Sequence, residues 1–146
     1  ASRASALVPP FAIWAEAEAM MEAHPNFFVD TSWSMTASIL SDRERVRNLF
    51  IRRSDRILLG SDIGAGVIRP ERYEYMASNY EKIIRYLETD EWVHGPFWLC
   101  GNNGAKLKGL ALPREVLENI YYKNAARIYP GLAEGLRKLG YSVVLK

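Results

Sequence analysis

The chain is short of the residues that build disulfide frameworks and most metal sites: 146 residues contain one cysteine, Cys100, and two histidines, His24 and His94. A single cysteine makes no internal bridge, which excludes a disulfide scaffold and favours a reducing, cytoplasmic compartment. Long apolar runs are absent too, so no membrane span is expected, and Ala1-Ser2-Arg3 lacks the charged start and apolar stretch of a secretory signal. An excess of one charge is also missing. With 19 Lys+Arg against 17 Asp+Glu the formal charge is +2, too little to argue for nucleic acid. The chain opens on Ala1 rather than an initiator methionine, which leaves the natural N-terminus open. What is present is ordinary for a globular protein: 49% hydrophobic and 25% charged residues, with no internal repeat and no low-complexity linker. A chain this long buries roughly 70% of its unfolded surface, enough for one core, so residues 1–146 are read as one domain.

Hydrophobic spacing marks the elements. Phe11, Trp14, Ala17 and Met21 recur every three or four residues and predict a helix over Pro10 to Ala23, stopped by His24-Pro25-Asn26. Phe27-Phe28-Val29 and Arg56-Ile57-Leu58-Leu59-Gly60 are short runs of strand formers without polar alternation, as in strands buried on both faces. Between them Ser41-Asp42-Arg43-Glu44 has capping-box spacing, with Ser41 at the cap, ahead of Val46, Leu49 and Phe50. After Pro70, Tyr73, Met76, Tyr80, Ile83 and Leu87 predict a long helix with those residues on its apolar face. Residues 88–112 carry Gly95-Pro96 and Gly101-Asn102-Asn103-Gly104 and are read as an elaborated loop. Pro113 opens another helix running towards Ile128, and a terminal helix from Gly131 to Leu139 stops at Gly140. This order implies an α/β fold with two parallel strands and surrounding helices. Two strands are too few for a parallel sheet, and Val143-Val144-Leu145 is the one further strand-like run, so the sequence reads as part of a larger sheet.

Active sites of parallel α/β folds lie at the carboxyl ends of the strands, where Asp30 and Asp62 stand. Neighbouring strand ends lie about 5 Å apart, so both carboxylates can face one pocket. Asp62 follows an apolar strand and precedes small residues, a place suited to binding a metal or moving a proton; a turn cap is the competing reading, evenly weighted. For Asp30, followed by Thr31 and Ser32, turn capping outweighs catalysis. Trp33, Trp92 and Trp98 would shape the substrate end, although loop aromatics more often close a small core.

Four strings in order, Asn26-Phe27-Phe28-Val29-Asp30-Thr31-Ser32, Asp55-Arg56-Ile57-Leu58-Leu59-Gly60-Ser61-Asp62, Leu112-Pro113-Arg114-Glu115-Val116-Leu117-Glu118-Asn119-Ile120 and Asn124-Ala125-Ala126-Arg127-Ile128, resemble the closing third of the amidohydrolase superfamily. The resemblance is nearest to the metal-dependent branch that includes relatives of aminocarboxymuconate semialdehyde decarboxylase. It implies the C-terminal segment of a (β/α)8 TIM-type barrel, a divalent metal such as zinc, and Asp62 as metal ligand or proton shuttle. Asp30 and Trp33 would then contact a small-molecule substrate.

The same resemblance implies a His-x-His pair and further histidines that this chain does not contain. A catalytic zinc takes three protein ligands, so Asp62 alone cannot hold one tightly. His24 sits before a strand, at the wrong end of the sheet, and His94 reads as an exposed loop histidine. Three readings follow. In the first, the chain is part of a metal-dependent hydrolase, or of a non-oxidative decarboxylase of the same family. In the second, it is a truncated, non-catalytic module whose open sheet edge pairs with another chain, as in a homo-oligomer. The third, a phosphate loop at Gly60 to Gly66, fails because Arg69 holds the place of the third glycine. Six arginines between Arg43 and Arg56 are interrupted by Glu44 and Asp55 and read as a solvated helix face rather than a nucleic-acid surface.

Overall fold

The computed structural model describes residues 10–32, 42–61, 73–94 and 106–143. Helix α1 (Pro10–Ala23) forms where the spacing predicts it, and turns Trp14 and Met21, one heptad apart, into the core. The Trp14 ring meets Phe50 edge-on at 5.5 Å. After the His24-Pro25 turn, β1 (Val29–Asp30) pairs in parallel with β2 (Ile57–Leu58), Val29 opposite Ile57 and Asp30 opposite Leu58. Between them runs α2 (Arg43–Arg52), whose Val46, Leu49 and Phe50 are fully buried. Its cap is Asp42, not Ser41: the Asp42 carboxylate accepts the Arg45 N–H at 3.0 Å, the same service one residue later. Ser41 lies outside the described residues.

Helix α3 (Tyr73–Glu88) buries only part of the expected face, Ile83 and Leu87 but neither Tyr73 nor Tyr80. Tyr73 and Tyr80 are exposed, while Asn79, Ile83, Tyr86 and Leu87 are buried. The elaborated loop at 88–112 is corrected in part. Strands β3 (Trp92–His94) and β4 (Lys106–Lys108) pair antiparallel, placing Val93 opposite Leu107, both buried, and leaving Trp92, His94 and Lys106 exposed. The period-2 alternation is there in the sequence but spans three residues per strand, and the flanking turn signals conceal it. Behind the hairpin the chain passes close to the end of α3, where a Cβ on Gly109 would lie 2.1 Å from the Thr89 carbonyl oxygen.

The closing rod consists of α4 (Arg114–Glu118), a π-helical turn (Asn119–Lys123) and α5 (Asn124–Ile128). Helix α6 (Leu132–Lys138) follows, bracketed by Gly131 and Gly140 at φ 82° and 87°, conformations glycine adopts without penalty. Val143 is buried outside any strand; Val144 and Leu145 lie outside the described residues. One cluster centred on Phe50, Ile57, Leu87, Leu110 and Ile120 joins α1, α2, β2, α3, the segment after β4 and the rod into a single core. Among the described residues no helix is long and apolar enough to cross a membrane.

The rod does more than cover the sheet. In a parallel ladder alternate residues face alternate edges, and because Leu58 O accepts the Thr31 N–H, the backbone of Ile57 and Leu59 faces away from β1. Those outward groups are already bonded: Leu59 N–H donates to Ile120 O at 2.9 Å, and Ile57 O accepts from Asn124 Nδ2 at 2.7 Å. The π turn frees the Ile120 carbonyl for this bond, since the Asn124 N–H reaches back to Asn119. The outer edge of β2 is therefore closed by the rod. The described residues form a parallel pair in a mixed α/β fold.

The arginines of α2 also differ from the solvated face expected. Arg43 Nε donates to Gly109 O at 2.7 Å and Arg47 Nε to Leu110 O at 2.9 Å, stapling α2 to the segment behind the hairpin. Arg52 and Arg53 reach Glu18 on α1. Long side chains bury their stems while the heads satisfy carbonyls that would otherwise lack partners.

Candidate functional site

The carboxyl ends of β1 and β2 are joined by one hydroxyl. Thr31, almost fully buried, accepts the Gly60 N–H with its Oγ1 at 2.9 Å and donates from the same oxygen to Gly60 O at 2.9 Å. Where the backbone ladder ends, this side chain supplies the next rung. A hydroxyl can do both because it is donor and acceptor at once. The clamp brings the strand ends into contact: a Cβ on Gly60 would fall 2.5 Å from Ser32 Oγ and 2.9 Å from Asp30 Oδ1. Any larger residue at position 60 would have to displace the Asp30 and Ser32 side chains.

Asp30 is exposed at this end, and its Oδ1 accepts the Ser32 N–H at 2.8 Å, the turn-capping role its neighbours suggested. That bond engages one carboxylate oxygen and fixes the side chain against Gly60. Ser61, which follows Gly60, is the last described residue of this segment. Asp62 and Trp33, the other two residues singled out from sequence, lie outside the described residues, as does Trp98. Trp92 is described and stands on the exposed face of the hairpin.

The histidines are not gathered here. His24 follows α1, before β1 and so at the opposite end of the sheet, and His94 ends β3. Among the described residues no three His, Cys, Asp or Glu side chains converge to hold a metal ion. Among the described residues the donors at the strand ends are one carboxylate and hydroxyls, fewer than the three protein ligands of a catalytic zinc.

The opposite, amino-terminal end is denser in polar contacts. Asn124, almost fully buried, donates to Ser54 O and to Ile57 O, both at 2.7 Å, and Asn119 Nδ2 donates to Ser54 Oγ at 3.1 Å. Arg56 and Arg127 lie over the Phe28 ring at 5.6 and 5.4 Å. Glu118 accepts from Lys123 Nζ at 2.7 Å and from Arg114 Nε at 2.9 Å, and these two cations hold its carboxyl below its ordinary range. Beside them lies a cavity of about 640 Å³, with a second of about 490 Å³ sharing Asp55 and Arg127.

Two of the residues that shape these ends escaped the sequence reading. From the sequence Thr31 reads as part of a turn and Asn124 as part of a helix. A polar residue directly after a buried strand, or on the inward side of a helix, is the signal that both carried.

Residues 8–131 match the model of the family described as amidohydrolase. No curated protein and no solved structure matches the chain.

Proposed function

Because the chain belongs to the amidohydrolase family, we propose that it serves a hydrolase acting on a small molecule, with Asp62 as the carboxylate that moves the proton. In this reading Asp62 takes a proton from the attacking water as it adds to the substrate carbonyl, and returns it to the leaving group as the bond breaks. Asp30 and Trp33 are assigned to substrate contact. The observation that carries the proposal is the Thr31 clamp, which ties both backbone groups of Gly60, two residues before Asp62, to the end of β1. A fixed strand end is what a proton-transferring carboxylate needs, because misplacement by about 1 Å costs on the order of a hundredfold in rate.

The finer placement, in the branch of aminocarboxymuconate semialdehyde decarboxylase relatives, belongs to the same proposal and rests on the four strings quoted from the sequence. There the bond broken would be C–C, carbon dioxide would leave, and Asp62 would deliver the replacing proton to carbon. A divalent metal such as zinc, with Asp62 as one ligand, would polarise the substrate in either version. The described residues do not assemble the other ligands, so no step is assigned to a metal here. Asp62→Asn tests the proposal: turnover should be abolished with folding near wild type, and an active variant would sink the assignment.

A further inference from the structure

The larger cavity lies at the amino-terminal end of β2, on the face opposite the strand ends assigned to the reaction, and is lined in part by Asp55, Arg114, Glu118, Tyr122, Lys123 and Arg127. At about 640 Å³ it falls within the range of roughly 300–1,000 Å³ typical of small-molecule sites. Its two carboxylates are engaged. Asp55 Oδ2 accepts from Arg56 Nε at 3.3 Å, and Glu118 is shared between Arg114 and Lys123. Its cations are in excess, because one Glu118 carboxylate faces two of them, and Arg127 pairs with no carboxylate among the described residues.

Arg127 is nevertheless held in place. Its Nη2 donates to the Asp55 carbonyl oxygen and, at 3.4 Å, to Asn124 Oδ1, while its guanidinium lies over Phe28. This anchorage uses one of three guanidinium nitrogens, just as Arg114 uses only Nε on Glu118. A guanidinium fixed before a ligand arrives gives up little freedom on binding, and its fork geometry matches two oxygens of one oxyanion. Positive groups gathered in a concave site raise the local concentration of anions further.

We propose that this cavity binds a small oxyanion, the phosphate or carboxylate group of a small molecule, between Arg114, Lys123 and Arg127. Glu118 acts as the resident competitor: its carboxylate occupies donors that an incoming anion would otherwise use. The site is independent of the hydrolytic reading, since none of its residues stands at the strand ends carrying Asp30 and Asp62.

Titration of the full chain with sodium phosphate, and separately with sodium acetate, at ionic strength held constant with sodium chloride, tests this. Saturable binding of either oxyanion is expected. Arg114→Ala, a change at a side chain 91% exposed, should weaken it about tenfold. Glu118→Gln should tighten it about threefold, because the amide keeps the size and releases two cations. No saturable binding of either oxyanion over the chloride background would overturn the proposal, as would binding indifferent to both substitutions.

Discussion

The two ends of the β1–β2 pair are built on opposite plans. At the amino-terminal end polar side chains are engaged with backbone: Asn124 on Ser54 and Ile57, Arg127 on Asp55, Arg56 on Pro25. At the carboxyl end one buried hydroxyl, Thr31, does the joining, and the exposed Asp30 carboxylate beside it accepts the Ser32 N–H. At the first end the anchored groups include cations with donors to spare, and at the second a fixed backbone carries an exposed carboxylate. Buried polar groups that are fully engaged fix geometry, whereas a carboxylate with open lone pairs at a fixed backbone can meet a ligand.

The largest test of this contrast is at the amino-terminal end. Asn124→Ala removes one buried and one partly buried hydrogen bond and leaves the Ile57 and Ser54 carbonyls without that partner, so urea denaturation should show a loss of about 3 kcal/mol. A loss under about 1 kcal/mol would mean that the rod does not brace β2. At the other end Thr31→Val keeps the shape but deprives Gly60 of its donor and acceptor, with an expected cost of about 2 kcal/mol, while Thr31→Ser should recover most of it. Equal losses for Val and Ser would place the role of Thr31 in its methyl group instead. Gly60→Ala is smaller in stability, about 1 kcal/mol, because Ser32 can rotate aside. Its larger effect should be on turnover, because the added methyl group pushes the Asp30 carboxylate out of place.

The smallest expected effect is electrostatic. The hydrogen bond from Arg52, with its charge and that of Arg53, lowers the Glu18 pKa in the folded state. A carboxylate depressed on folding stabilises above its unfolded value of 4.5, and that contribution is lost as pH falls through the folded value. Glu18→Gln should therefore lower stability by under about 1 kcal/mol at pH 7. Melting curves of the two proteins should converge as the pH is taken below the carboxylate range, and a constant gap down to acid pH would assign the effect to packing.

Much of this contrast was legible in the sequence, through particular residues. The apolar runs at Phe27 and Ile57 mark the parallel strands, although hydrogen bonding confines them to Val29–Asp30 and Ile57–Leu58. Gly131 and Gly140 mark the ends of α6. On α3 periodicity marks the helix and the buried Ile83 and Leu87, but it counts Tyr73 and Tyr80 as apolar although each carries a hydroxyl that water satisfies, and passes over Asn79, which is buried. The π turn could not be read at all, since nothing in Asn119-Ile120-Tyr121-Tyr122-Lys123 departs from helical composition; it forms where Leu59 needs an acceptor. At the strand end of β1, sequence position points to Asp30 but not to Thr31, because a hydroxyl that serves both backbone groups of a distant glycine is a tertiary fact.

The most direct test of the account is turnover by Asp62→Asn beside wild type, on whichever amide, ester or carboxylate substrate the wild-type protein consumes, with melting temperature measured on both. Turnover is expected to fall by a factor of about a hundred or more at an unchanged melting temperature. Turnover retained in a folded Asp62→Asn protein would contradict this expectation.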